Sequence, residues 1–61
     1  MELKKEGNRI YLDDCLYLTR YYNGEYGVYD DGEYQGKYCG SIDRLEEMSG
    51  EEAVKYVLRG I

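Results

Sequence analysis

A 61-residue chain with thirteen acids, eight bases and no histidine, proline, phenylalanine or tryptophan is expected to form one small domain over 1–61, able to bury only about 60% of its unfolded surface. Its net charge of −5 argues against ordinary phosphate-backbone binding, which needs clustered lysine and arginine, and no apolar run is long enough for a membrane span. The opening residues Met1 to Glu6 lack the apolar region of a signal peptide, and two cysteines make no disulfide framework; the reading is a cytoplasmic protein with reduced thiols.

In chain order, strands are expected at about 2–6, 9–13, 15–22, 25–30 and 33–39. Glu6-Gly7-Asn8 makes the first turn, and the adjacent acids Asp13 and Asp14 favour a bend over continued pairing. In the third segment, alternation places Leu16 and Leu18 on one side. Asn23-Gly24 and Asp31-Gly32 read as two type I′ hairpin turns, because that turn needs positive φ at both central residues. After Gly40, the spacing of Ile42, Leu45 and Met48 predicts a short helical turn over 42–48. Ser49-Gly50-Glu51-Glu52 fits a capping box, and Ala53, Val54, Val57, Leu58 and Ile61 form the apolar stripe of a helix over 50–60. Glu51 and Glu52 in its first turn and Arg59 in its last suit the helix dipole. The expected fold class is α+β: a small antiparallel β-meander of three to five strands with a C-terminal α-helix packed on one face.

Two-residue turns set register, and register sets faces. Tyr22 is then expected opposite Glu25, Leu18 opposite Tyr29 and Thr19 opposite Val28; around the second turn, Asp30 faces Glu33, Tyr29 faces Tyr34 and Gly27 faces Gly36. One face would hold Leu16, Leu18, Tyr22, Tyr29, Tyr34 and Tyr38, with a hollow at the glycine pair, and would take the helix. The other would show Tyr17, Thr19, Tyr21, Tyr26, Val28, Gln35 and Lys37. All the aromatic content is tyrosine, nine in number, and tyrosine joins an apolar ring to a hydroxyl that wants a partner. Tyr17, Tyr21 and Tyr26 on an uncovered sheet would make an apolar patch suited to a partner. The ordinary alternative is that tyrosines simply suit strands, with the N-terminal hairpin covering them.

The acids are the second feature. Glu25, Asp30, Asp31 and Glu33 lie between Arg20 and Lys37 with no base among them, and Glu46, Glu47, Glu51 and Glu52 follow downstream. Rigidly placed carboxylates can imitate phosphates and occupy a basic groove; they also keep small sheets from pairing edge to edge. The Asp30-to-Glu33 loop is too short for a calcium-binding EF-hand. The expected register places Cys15 opposite Gly32 and Cys39 opposite Gly24, roughly 25 Å apart and beyond disulfide reach; both read as buried or half-buried thiols. No phosphate loop, nucleophile elbow, metal or cofactor motif is present. Without histidine an enzyme would need a carboxylate, lysine or cysteine tuned by a pocket, which a chain this size rarely encloses. The expectation is a non-enzyme without cofactor. Tyrosines on a sheet can also stack bases, but few cations accompany them here.

The run from Tyr26 to Tyr56, strands followed by Ser-Gly-Glu-Glu-Ala-Val, resembles the strand–strand–helix core of the HicB-type antitoxins over about half the chain. That resemblance implies an inhibitor of a partner ribonuclease, and no individual residue is carried over from it. In composition the chain is also similar to short acidic phage-encoded inhibitors, anti-CRISPR proteins among them. The leading expectation is therefore a small acidic module that binds a basic protein, an inhibitor occupying the groove of a nucleic-acid-handling target. A homodimer through the tyrosine face is the alternative, and a single-stranded nucleic-acid binder the third reading.

Overall fold

Short alternating segments, divided by three glycine-bearing turns and the Asp13-Asp14 bend, form five strands, β1 (Lys4–Glu6), β2 (Arg9–Tyr11), β3 (Leu16–Arg20), β4 (Tyr26–Asp30) and β5 (Glu33–Tyr38), followed by helices α1 (Ile42–Glu46) and α2 (Gly50–Arg59). They are seen in a computed structural model that describes residues 3–61. Residue 2 of the first expected strand lies outside the described residues. The sheet is antiparallel throughout and its strand order is sequential, β1 to β5. This is the α+β meander that the hydrophobic pattern implies. Among the described residues, no helix is long and apolar enough to cross a membrane.

One side of the sheet meets the helices. Ile10, Leu16, Leu18, Val28 and Tyr38 from the strands join Leu3, Leu12, Leu45, Ala53 and Val57 in a single buried cluster. Leu18, Val28 and Leu45 are fully buried. Both helices start on a serine whose side chain accepts a backbone N–H: Ser41 Oγ takes that of Arg44 and Ser49 Oγ that of Glu52, each at 3.2 Å. The predicted stripe of α2 is buried at Ala53 and Val57 and half-buried at Val54, whereas Leu58 stays exposed on the outer side. The Tyr38 hydroxyl donates to the Ser41 carbonyl at 2.8 Å and ties the last strand to the start of α1.

The β3–β4 turn differs from expectation, and the difference changes the faces from Tyr26 to Tyr34. Tyr21 and Glu25 close a three-residue loop, with Tyr21 N–H donating to Glu25 O at 2.9 Å and Gly24 N–H to Tyr21 O at 3.2 Å. Gly24 takes φ +89°, while Asn23 keeps a negative φ. This is a tight turn followed by a left-handed residue, the usual three-residue hairpin loop. The Asn23 side chain stabilises it, accepting the Glu25 N–H at 3.1 Å and donating to the Glu25 carboxylate at 2.9 Å. The register is therefore Leu18 opposite Val28, Thr19 opposite Gly27 and Tyr17 opposite Tyr29. Val28 and Tyr26 turn toward the helices. Tyr29, and with it Tyr34, turn to the other side, and Tyr22 is fully exposed in the loop.

The second turn is the expected type I′, with Asp31 at φ +53° and Gly32 at +86°, and Asp30 pairs with Glu33. A bulge then places Gln35 as an extra residue, so that Val28 faces Gly36 and Gly27 faces Lys37. The two glycines are thus not a pair and look to opposite sides. A Cβ on Gly36 would lie 2.8 Å from Ile61 Cγ2, and one on Gly27 would lie 2.8 Å from the Tyr21 ring. Each hollow is already filled by the protein itself.

Two substitutions test this packing. Leu18→Ala removes a fully buried side chain and should lower unfolding free energy by about 2–5 kcal/mol. Gly36→Ala imposes a side chain at φ +153° against Ile61 and should cost about 1–3 kcal/mol. Urea unfolding reads both; a Gly36→Ala midpoint equal to the parent's would refute the strained position.

Candidate functional site

The side of the sheet away from the helices carries a row of aromatic rings. Registration places Lys4, Tyr11, Tyr17, Tyr29 and Tyr34 side by side across all five strands. Ring centroids are 5.2 Å apart from Tyr11 to Tyr17, 5.5 Å from Tyr17 to Tyr29 and 5.6 Å from Tyr29 to Tyr34. Tyr17 and Tyr29 are stacked within 8° of parallel. Cations extend the row: Lys4 Nζ is 5.9 Å from the Tyr11 centroid, and the Arg9 guanidinium is 4.6 Å from that of Tyr17 while donating to the Tyr11 hydroxyl at 3.3 Å. Tyr21 reaches over Gly27 to bring its hydroxyl 3.3 Å from that of Tyr29. This hydrogen bond, with burial, raises the Tyr29 hydroxyl above the ordinary tyrosine range.

A second row on the same side holds Glu6, Arg9, Thr19, Gly27 and Lys37. Lys4 pairs with Glu6 at 3.5 Å and Lys37 with Glu25 at 3.7 Å. The N-terminal hairpin extends the sheet in its own plane and adds Tyr11 to the open face. It does not cover the tyrosines.

Of the three expected anchor tyrosines, Tyr17 and Tyr21 are on this side of the sheet, but Tyr21 is half-buried and Tyr17 is buried, only 9% exposed beneath Arg9 and between Tyr11 and Tyr29, so it is not the exposed anchor expected. Tyr26 is not on this side; with Val28 it faces the helices, packed against the core, its ring 6.2 Å from that of Tyr38. Tyr11, Tyr29 and Tyr34 take its place. Tyr11 was within reach of sequence reasoning, since alternation in Arg9-Ile10-Tyr11-Leu12 separates it from the buried Ile10 and Leu12. Tyr29 and Tyr34 depended on the length of the first hairpin loop.

The acids divide into groups. Asp30, Asp31 and Glu33 lie at the β4–β5 turn, and the β2–β3 bend brings Asp13 and Asp14 to the same end of the sheet, because Asp31 N–H donates to Cys15 O at 2.9 Å. Asp13 Oδ1 accepts from Cys15 N–H at 2.8 Å and Leu16 N–H at 2.7 Å, which shapes the bend. Glu25 belongs to the opposite end, paired with Lys37 and accepting from the Cys39 thiol at 3.6 Å. Glu46 pairs with Lys5 at 3.3 Å, and Glu51 with Lys55 at 3.8 Å. Glu47 caps the end of α1, its N–H donating to Arg44 O, and Glu52 is held at the start of α2 by Ser49. The expected acidic residues thus do not form one surface; five carboxylates at one sheet end do, two of them from a bend. Among the described residues, no group of three or more histidine, cysteine, aspartate or glutamate side chains is arranged to hold a metal.

Both cysteines are free and exposed, against the expectation of buried thiols. Cys15 lies opposite Asp31, and Cys39 beside Glu25. Burial first, then the charges of Asp31, Asp13, Asp30 and Asp14, raise the Cys15 thiol above its ordinary value. The chain matches no protein-family model, no curated protein and no solved structure.

The thiol reports on the acidic end. In a Cys39→Ser background, alkylation of Cys15 should reach half its maximal rate at a higher pH than an unstructured thiol. Asp31→Asn, which keeps a residue tolerant of positive φ at this turn, should move that midpoint downward. A midpoint indifferent to Asp31→Asn would place the carboxylate away from the thiol.

Proposed function

We propose that the protein is a small binding module without chemistry of its own, an inhibitor that sets its acidic end into the basic groove of a nucleic-acid-handling protein. The observation that carries this reading is the convergence of Asp13, Asp14, Asp30, Asp31 and Glu33 at one end of a rigid sheet. Two hydrogen-bonded turns fix the backbone from which these side chains project, so their carboxylates are presented together at one end as a mimic of spaced phosphates needs. The helix-borne Glu47 and Glu52 add exposed negative charge on the neighbouring layer. An antitoxin or phage anti-defence role is the biological setting such an inhibitor suits.

Base stacking is supported less well. A tyrosine that stacks a base must offer a ring face. Here the faces of Tyr17 and Tyr29 are turned to one another, and Arg9 lies over Tyr17.

The test is capture of host proteins on the immobilised chain, with nuclease and competitor DNA as separate arms. The expected result is a basic nucleic-acid-binding protein that DNA displaces. Neutralising the end with Asp14→Asn, Asp30→Asn, Asp31→Asn and Glu33→Gln should slow association with it by about tenfold or more at low salt. Unchanged kinetics, or the absence of any DNA-displaceable partner, would reject the reading.

A further inference from the structure

The open tyrosine face has a property that the acidic end does not share: it is chemically self-complementary. Read across the strands, its first row is Lys4, Tyr11, Tyr17, Tyr29, Tyr34 and its second is Glu6, Arg9, Thr19, Gly27, Lys37. A twofold axis lying in the face along β3 exchanges β1 with β5 and β2 with β4 and keeps each row in place. Under that operation the Arg9-covered, buried Tyr17 lies at the axis opposite its own copy, and the half-buried Tyr11 meets Tyr29. Lys4 meets Tyr34, the most exposed ring of the row, as a cation over an aromatic face. Glu6 meets Lys37, an acid against a base. Arg9 meets Gly27, where the Tyr21 ring fills the hollow.

We infer that this face pairs with the same face of a second copy, forming a twofold dimer about an axis along β3. Isologous contacts need a patch complementary to itself, and the order of residue types across both rows satisfies this in charge. The open face is also where carboxylates do not dominate a chain of net charge −5: Lys4, Arg9 and Lys37 are there with Glu6 and Glu25.

The area sets the strength. The molecule measures 25 × 21 × 19 Å, so two copies joined by one face bury on the order of 1,000 Å² in total, the lower limit for a specific interface. The dimer is therefore concentration-dependent and exchanges with monomer. Because the axis runs along the strands, the two acidic ends lie side by side at one end of the dimer. Their repulsion opposes association and is screened by salt. Dimerisation should strengthen as salt rises, whereas binding of the acidic end to a basic partner should weaken.

Sedimentation over a wide concentration range tests the pairing. The parent should show a monomer–dimer equilibrium that higher salt shifts toward dimer. Lys37→Glu should weaken it about tenfold or more, by setting like charges together across the axis. Adding Glu6→Lys should restore it to within about threefold. Within one chain these residues are on opposite edge strands, roughly 19 Å apart at the usual strand spacing, so no contact inside one chain supplies the rescue; Glu51→Lys, which restores the same net charge from the exposed side of α2, should not repair the defect. Tyr34→Ala, at an exposed ring, should weaken the dimer without unfolding the chain, which its far-ultraviolet circular dichroism will show. A monomer at every concentration and salt, or a dimer that Lys37→Glu leaves intact, overturns the inference. So does a Lys37→Glu defect that Glu6→Lys fails to repair. None of these outcomes touches the acidic end, whose partner binding is read separately by the four neutralising substitutions.

Discussion

Leu18 and Val28 face one another across β3 and β4, and neither exposes any surface. Leu45 of α1, equally buried, belongs to the same cluster. This cross-strand pair is the constraint on which the rest depends. A strand has a period of two, so whichever parity is buried on β4 decides the side taken by each of its neighbours. With Val28 inside, Tyr29 must be outside, and Tyr17 and Tyr34 are drawn into line with it. The alternative, Tyr29 inside against Leu18, would bury a hydroxyl needing a partner where Val28 needs none. The three-residue loop at Tyr22–Gly24 is the local geometry that makes the favourable parity possible.

Two features then keep the layers from slipping. The Gln35 bulge shifts parity once more on β5, returning Tyr38 to the core side, where its hydroxyl holds the Ser41 carbonyl. Lys5, on the helix side of β1, reaches Glu46 of α1. The edges of the sheet are guarded as well. β1 is an exposed Lys-Lys-Glu, and β5 is bent by its bulge and carries the exposed Lys37, features that discourage pairing with another strand. Contact with other molecules is thereby directed to the faces and the ends.

The elements themselves were readable because each has a local cause: glycine turns, alternation, serine caps and an apolar stripe. The composition of the faces was only half readable, and the reason is specific. Asn-Gly serves both as a two-residue turn with two left-handed residues and as the last part of a three-residue loop with one; nothing in Tyr22-Asn23-Gly24-Glu25 alone separates the two. The bulge at Gln35 has no marker in the sequence either. Its effect happens to cancel that of the loop for Tyr38, which joins Leu16 and Leu18 in the core as expected although the pairing behind that expectation differs by one residue. No such cancellation rescues Tyr26, Tyr29 or Tyr34. The acidic end was partly legible for the same local reason: Asp30, Asp31 and Glu33 share a turn, whereas Asp13 and Asp14 join them only through the order of strands.

The tyrosine row is suited to making contacts over a small area. Tyr11, Tyr17 and Tyr29 are each held by neighbouring rings at 5.2 to 5.6 Å and by Arg9, Lys4 or Tyr21, so their conformational entropy is already largely spent in folding. A partner that settles on the row orders few further side chains, which lowers the unfavourable part of association. Tyrosine has few rotatable bonds for the surface it presents, and its hydroxyl can exchange water for a hydrogen bond at the rim. Alanines or leucines in the same places would offer either too little area or an apolar patch exposed to unspecific contacts. A row of tyrosines flanked by charge therefore combines a preformed surface with solubility of the unpaired chain, which a domain exchanging between free and bound states requires.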